Sequence, residues 1–110
     1  MHPRRGEVWW VSFEPSVGGE IKKTRPAVVV SNDSANAALN RVIVVPISSQ
    51  VAKIYPGEAL ITLNGEQRKA LADQIMTASK QRLKNKAGIL SRADVSAVEG
   101  ALLLQLAIRR

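Results

Sequence analysis

Two β-branched apolar runs, each with one proline, constrain the fold of this chain more than any other feature. They are the segments TRPAVVVS, residues 24–31, and RVIVVPIS, residues 41–48. Valine and isoleucine favour strands, and proline restricts such a run to a strand start, an edge or a bend. The first run therefore predicts a strand over residues 25–31, and the second predicts a strand that Pro46 bends or ends.

Further short strands are predicted on either side of these two. EVWWVSFE, residues 7–14, is β-branched and aromatic, and a strand near residues 58–63 precedes the hairpin signal Asn64-Gly65. KALADQIMTAS, residues 69–79, is read as two short strands, although alanine and leucine also suit a helix. SNDSANAAL, residues 31–39, predicts a turn with a short helical piece.

A C-terminal helix is predicted from Ser91, a good N-cap residue that Asp94 follows in the first turn. The helix shows apolar residues at helical spacing, namely Val95, Val98, Leu102 and Leu106. We expect it to end with the charges of Arg109 and Arg110. Many short strands followed by a helix predict an α+β fold around a small antiparallel barrel, in one domain over residues 1–110.

The charge of the chain indicates a polyanionic partner. There are 16 lysines and arginines against 9 aspartates and glutamates, so the net charge is +7. Nucleic acid is the first candidate partner, an anionic membrane the second and an acidic polypeptide the third, while a solvated basic surface is the alternative without a partner. The chain has no cysteine and no run approaching the roughly 18 apolar residues of a membrane span, so we expect a cytoplasmic protein.

The chemistry available to this chain rests on arginine, hydroxyls and isolated carboxylates. His2 is the only histidine, and the carboxylates show no paired motif for metal ligation, so we expect no metal and no cofactor. Such a set can cleave RNA, because the 2′-hydroxyl is an internal nucleophile that needs a base, a cation and a proton donor. Arg25, placed by Pro26 before the apolar run, suits the role of the cation; the alternative is an arginine that snorkels at a strand end.

Four blocks in order resemble the MazF/PemK (Kid-like) toxin family. They are GEVWWVSFEP, GGEIKKTRPAVVVSND, VIVVPISSQ and ALADQIMTASKQRL, spread over residues 6–83. The resemblance implies an SH3-like barrel with short helices and a C-terminal helix, assembled as a homodimer. It also implies a toxin of a type II toxin–antitoxin module that cleaves single-stranded RNA at specific sequences, leaving 2′,3′-cyclic phosphate and 5′-hydroxyl ends. The expected partner is an acidic antitoxin.

The resemblance assigns catalytic roles to four residues. Arg25 matches the catalytic arginine of the family's Thr-Arg-Pro block, and Ser48 stands where many members have a catalytic threonine. Glu20 and Asp73 match two acidic positions, and the general base is open between them. Where some relatives carry a catalytic arginine, this chain has Leu71.

Each assignment has a structural alternative. Glu20 would neutralise Lys22 or Lys23, Asp73 would cap a turn, and Ser48 would bond its own backbone.

Cationic and polar residues around the four catalytic candidates are expected to bind RNA, namely Lys22, Lys23, Thr24, Ser49, Gln50, Gln74, Lys80 and Arg82. Lys84 and Lys86 continue the every-second-residue spacing of the last two. On an extended segment these four cations would line one face along a phosphate path, whereas on a helix they would spread round it.

Two rival functions share the same barrel. One is a protein that poisons DNA gyrase without cleaving anything; such relatives act through C-terminal residues that include a Trp-Gly pair, whereas this chain ends QLAIRR. The other is a noncatalytic RNA-binding module, for which a basic groove with Tyr55 as stacking platform would suffice. Trp9, Trp10 and Phe13 are expected to lie in a core strand.

Overall fold

Seven antiparallel strands form one curled sheet in the computed structural model, which describes residues 2–13, 18 and 23–109. The strands are β1 (Glu7–Ser12), β2 (Thr24–Val29), β3 (Arg41–Ser48), β4 (Glu58–Leu63), β5 (Glu66–Leu71), β6 (Met76–Ser79) and β7 (Leu83–Ile89). Their order in the sheet is β4-β5-β3-β2-β1-β7, and β6 pairs with β3. The predicted α+β fold with an antiparallel barrel-like sheet is confirmed.

Two α-helices and two single 3-10 turns connect and close the sheet. The helices are α1 (Asp33–Ala38) and α2 (Arg92–Gln105), and the 3-10 turns span Ala72–Gln74 and Lys80–Arg82. Ser91 caps α2 as predicted, because its side chain accepts a hydrogen bond from the Asp94 N–H. No helix in the described part of the chain is long and apolar enough to cross a membrane.

The core lies on both faces of the central strands β1, β2 and β3. Side chains alternate along β2, so Val28 joins one cluster while Ala27 and Val29 join the other. The first cluster joins the central strands to β4, β5 and α2, and it includes Val8, Val28, Val45, Ile47, Ile61, Ala70 and Val98. The second is formed by Val11, Phe13, Ala27, Val29, Val42, Val44 and Ala78. Burial on both faces gives the site residues at the strand ends a rigid support.

Strand β3 changes its partner at Pro46. Val44, Val45 and Pro46 pair with Val29, Val28 and Ala27 of β2, whereas Ile47 and Ser48 pair with Ala70 and Lys69 of β5. Pro46 has no N–H to donate to a ladder, which fits its place at this transition. The strand is therefore redirected by Pro46 rather than ended by it.

The bounds of several elements differ from the expectations. Helix α2 ends at Gln105 rather than at Arg109 and Arg110, because Ala107 adopts a left-handed φ of 56° and the N–H of Ile108 bonds to the Leu103 carbonyl. Strand β2 covers residues 24–29 rather than 25–31, and the described part of β1 ends at Ser12. Strand β7 was not predicted as such, because its sequence LKNKAGI has few strand-favouring residues.

Candidate active site

Arg25 lies at the start of β2, where the strand leaves the core. Its side chain is exposed, while Ala27, Val28 and Val29 further along are almost fully buried. On one side, Arg25 pairs with Val11 of β1. Arg25 is two residues before Ala27, so its side chain lies on the same face of β2 as Ala27 and the second core cluster. The buried run beyond Pro26 thus anchors an exposed guanidinium, as the sequence predicts.

Ser48 occupies the matching position at the end of β3. Among the described residues, the β2–β3 ladder ends at the pair Ala27–Pro46, and two positions further the strands carry Arg25 and Ser48. Both residues fall on the face of Ala27 and Pro46, because side chains alternate along a strand. The Ser48 Oγ accepts a hydrogen bond from the Gln50 N–H at 3.1 Å. This contact is the local bond foreseen as the alternative for Ser48, and it leaves the hydroxyl proton available to another acceptor.

Three more residues predicted to contact RNA surround Arg25. Thr24 is exposed and pairs with Ser12, whose carbonyl accepts a hydrogen bond from the Arg82 Nη1 at 3.1 Å. The Lys23 carbonyl accepts from the Phe13 N–H at 2.9 Å, and Lys23 has a left-handed φ of 65°. The end of the β1–β2 ladder therefore collects several cationic groups.

Asp73 and Gln74 lie in the 3-10 turn between β5 and β6. Both flanking strands pair with β3, on the edge away from β2: β6 with residues 41–44, and β5 with residues 47–48. The turn thus lies beside the middle of β3. Asp73 is exposed and Gln74 is partly buried. The N-cap of this turn is Leu71, so the capping role foreseen as the alternative for Asp73 is not observed.

The remaining predicted site residues are scattered or outside the described part. Glu20 and Lys22 lie outside the described residues. Ser49 and Gln50 are exposed directly after β3. Lys80 is different, because its N–H bonds to the Asn40 carbonyl at the end of β3 opposite Ser48. Lys80 thus lies beside the start of β3, in the same 3-10 turn as Arg82.

The segment that carries the four regularly spaced cations is extended only in its second half, so the one-face arrangement is available only there. Lys80 and Arg82 belong to a 3-10 turn, and only Lys84 and Lys86 lie in β7, where the register with β1 shifts. The Lys86 ammonium pairs with the Glu7 carboxylate at 3.1 Å. Burial raises the pKa of Glu7, but hydrogen bonds from the Arg4 N–H, the Trp9 indole and Lys86 outweigh it and hold that pKa below its usual value.

Exposed aromatic rings are found at two places. Tyr55 is 55% exposed, as expected for a stacking platform. Trp10 lies in a core strand as predicted, but its side chain is 38% exposed, so the inference that Tyr55 alone offers a stacking ring is wrong. Trp10 alternates with Trp9 along β1 and therefore points to the other face of the sheet, opposite Pro26. Alternation of side chains along β1 is the signal in the sequence that distinguishes Trp10 from Trp9.

Within the described residues, no group of three or more histidine, aspartate or glutamate side chains could hold a metal ion. The chemical groups that the geometry brings together are a guanidinium, a hydroxyl and further cations at one end of β2 and β3. This combination suits a phosphate group whose negative charge increases during reaction.

Comparisons with known proteins agree on one family. A family model described as "PemK-like, MazF-like toxin of type II toxin-antitoxin system" matches residues 4–106. Endoribonuclease MazF9 of Mycobacterium tuberculosis (strain ATCC 25618 / H37Rv) is 43% identical over 112 residues, which cover 94% of this chain and 95% of that protein. The crystal structure of MazF from Deinococcus radiodurans has a TM-score of 0.85 at 26% identity, covering 98% of this chain and 99% of that one. An endoribonuclease in complex with its cognate antitoxin, from a mycobacterial species, has a TM-score of 0.83 at 21% identity over 98% of both chains and supports the fold.

Proposed function

The chain belongs to the family of PemK-like, MazF-like toxins of type II toxin–antitoxin systems, and we propose that it is an endoribonuclease that cuts single-stranded RNA at specific sequences. One observation carries the proposal: Arg25 and Ser48 stand at matching positions of β2 and β3, just beyond the last pair of their ladder. The name of the 43% identical mycobacterial relative, an endoribonuclease, supports the same activity.

The proposed reaction is a transesterification within the RNA strand. The 2′-oxygen of one ribose attacks the adjacent phosphorus, and the bond from that phosphorus to the 5′-oxygen of the next nucleotide breaks. The proton of the 2′-hydroxyl passes to a carboxylate, Glu20 or Asp73, and the departing 5′-oxygen takes a proton from solvent, to which the carboxylic acid then returns the one that it accepted. The products are a 2′,3′-cyclic phosphate and a 5′-hydroxyl. No metal is needed, because the nucleophile belongs to the substrate and cations of the protein offset the phosphorane charge.

Arg25 stabilises the phosphorane in this proposal. Its planar fork can donate two parallel N–H bonds to nonbridging oxygens, and β1 holds its strand in place through Val11. Ser48, which β5 holds through Lys69, donates a hydrogen bond from its hydroxyl to the phosphate or the leaving oxygen and keeps its proton. The two groups are thus fixed from opposite sides before RNA arrives, as preorganised electrostatic stabilisation requires.

Sequence choice and affinity are assigned to separate residues. Lys23 and Arg82 lie near Arg25 and would contact phosphates, which gives affinity without base selection. Gln50 and Gln74, with the ring of Tyr55, would read unpaired bases by hydrogen bonding and stacking. Duplex RNA should resist cleavage, because A-form geometry keeps the 2′-oxygen off the line of attack.

We also propose a homodimer, an acidic antitoxin and a cytoplasmic location, where the RNA substrate lies. The net charge of +7 favours an acidic partner.

Two exposed apolar surfaces are candidates for the contact with a second copy of the chain. One is a groove of about 540 Å³ between α1 and β3 with Leu39 and Ile43 at its edge; the other is the end of α2, with Leu104 and Ile108.

Cleavage of a labelled, unstructured RNA oligomer in EDTA tests the proposed function. We expect products with cyclic phosphate and 5′-hydroxyl ends, no cleavage when the 2′-hydroxyl at the cut site is replaced by hydrogen, and no cleavage by a folded Arg25→Ala variant. Binding without cleavage would favour the RNA-binding module. A product from the 2′-deoxy substrate would mean attack by water and would overturn the mechanism.

A further inference from the structure

A buried ion pair lies beneath the loop that follows Ser48. We call this segment, residues 49–57, the β3–β4 loop. Lys69 of β5 is only 7% exposed, and its ammonium donates to the Glu58 carboxylate and to the Lys53 carbonyl, each at 3.0 Å. The same nitrogen lies 5.5 Å from the centroid of the Tyr55 ring. The sequence alone gave no reason to single out Lys69.

Both members of the ion pair bind the backbone of the loop. Lys69 reaches the carbonyl of Lys53, and the Glu58 Oε1 accepts a hydrogen bond from the Tyr55 N–H at 2.9 Å. Buried ion pairs contribute little net stability compared with apolar side chains of similar size, because removing two charges from water is costly. An ion pair whose hydrogen bonds are all made can instead favour one conformation of the segment that it binds, and here that segment is the β3–β4 loop.

The position of Lys69 links this loop to the candidate active site. Its backbone pairs with Ser48 in the β3–β5 ladder, and Gln50 bonds through its N–H to the Ser48 hydroxyl. The start of the loop is thus tied to the proposed catalytic hydroxyl, and its far end is tied to the ammonium. Tyr55 remains 55% exposed, so part of its ring is open to a base.

We propose that Lys69 is a positioning residue, which holds the β3–β4 loop in the conformation that presents Gln50 and Tyr55 to RNA bases. This inference rests on the proposed ribonuclease function. It makes the loop a preformed reading surface, whose geometry depends on a lysine that does not touch RNA. Because the reacting phosphate would meet Arg25 and Ser48 instead, loss of Lys69 should affect substrate binding and sequence choice more than the chemical step.

The test variant is Lys69→Met/Glu58→Gln. Methionine fills much of the space of the lysine stem, and glutamine keeps an acceptor for the Tyr55 N–H, so no lone charge is left buried. The matched control is Arg68→Met/Glu66→Gln, which removes the exposed pair on the same strand, 3.3 Å apart. Each variant removes one positive and one negative charge, so the net charge stays constant and general attraction to RNA is unchanged.

Two readouts separate positioning from chemistry. The dissociation constant for an RNA that carries a 2′-deoxy nucleotide at the cut site should rise about fivefold or more in the test variant, as expected for the loss of one base–aromatic stack. The single-turnover rate at saturating enzyme should stay within about threefold of wild type, and the cut sites mapped on a long transcript should become less selective. The control should match wild type in all three measurements.

Several outcomes would overturn the inference. Unchanged binding and unchanged cut sites in a folded test variant would do so, and so would a large loss of single-turnover rate at unchanged affinity. If the test variant fails to fold, amide exchange in the wild-type protein decides: the Tyr55 amide should be protected, and exchange at the rate of an unstructured peptide would refute a preformed loop. If wild type cuts no RNA, the proposed function fails, but a faster Tyr55 amide exchange in the folded test variant than in the control would still show that Lys69 and Glu58 hold the loop.

Discussion

Replacing Arg25 by lysine separates the geometry of the guanidinium from its charge. Arg25 is exposed near the start of β2, and a lysine in its place keeps a positive charge and a long aliphatic stem. The buried neighbours Val28 and Val29 are untouched, so the unfolding free energy should change by less than about 0.5 kcal/mol. For a domain of this size, the melting temperature should then shift by only a few degrees, about 4 °C at most.

The expected loss of rate is much larger. A guanidinium can donate two fixed, parallel N–H groups to the phosphorane oxygens, whereas an ammonium is a single mobile charge. Removing one preorganised donor from an oxyanion site costs about 10²–10³ in kcat, or roughly 2.7–4 kcal/mol. Because Arg25→Lys retains the charge, we expect a loss near the lower limit, about 100-fold.

The assay is the single-turnover rate at saturating enzyme, in EDTA, on an oligomer with one ribonucleotide at the cut site. Arg92→Lys is the matched control, because Arg92 is an exposed arginine at the first position of α2, outside the site. The control should cleave as wild type does. A folded Arg25→Lys variant within about threefold of wild type would refute the argument from the bidentate fork, since three-fold is far below the loss of one donor.

Three further predictions follow from the structure. Ser48→Ala should lower the single-turnover rate about 100-fold, whereas Ser48→Thr, which keeps the hydroxyl, should stay within about tenfold; equal rates for both would remove Ser48 from the mechanism. Glu7→Gln should destabilise the fold at neutral pH, and the difference in melting temperature should shrink as the pH falls below about 4.3, because a lowered folded pKa stabilises only the ionised form. A constant difference across that range would contradict this. Gly57→Ala should destabilise by about 1–3 kcal/mol in denaturant unfolding, because Gly57 has a φ of 83° and its new Cβ would meet Gln105; adding Gln105→Ala should restore only part of the loss, and full restoration would show that the backbone is unstrained.

Local patterns in the sequence were sufficient for most of the strands. The bounds predicted for β3 agree with the structure, and so do the hairpin at Asn64-Gly65 and the cap at Ser91. Strand β7 is different, because LKNKAGI becomes a strand by pairing with β1 rather than through the preferences of its own residues. Pairing between segments distant in sequence depends on the whole fold, and neither composition nor periodicity reports it.

The candidate site could be predicted one residue at a time, but its arrangement could not. The block around Arg25 and the hydroxyl at Ser48 were both visible in the sequence. That the two stand at matching positions depends on the β2–β3 register, a property of the folded sheet. The burial of Lys69 was equally hidden, since a lysine in a polar strand is normally solvated, and only the fold places it beside Glu58.

The two prolines give a physical reason why the site opens where it does. Pro46 is the last described residue of β3 that pairs with β2, and Pro26 is the next residue of β2 beyond its partner Ala27. Alternate residues of β2 face β3, because the Val30 N–H bonds to the Ile43 carbonyl, so Pro26 faces β3 but has no N–H to donate to a continued ladder. Pro46 faces the opposite edge of β3, where the partner strand changes from β6 to β5. Beyond these prolines, β2 remains paired with β1, and β3 remains paired with β5. Among the described residues, no ladder pair joins β2 to β3 beyond Ala27 and Pro46, and in the proposed mechanism the phosphate approaches between Arg25 and Ser48.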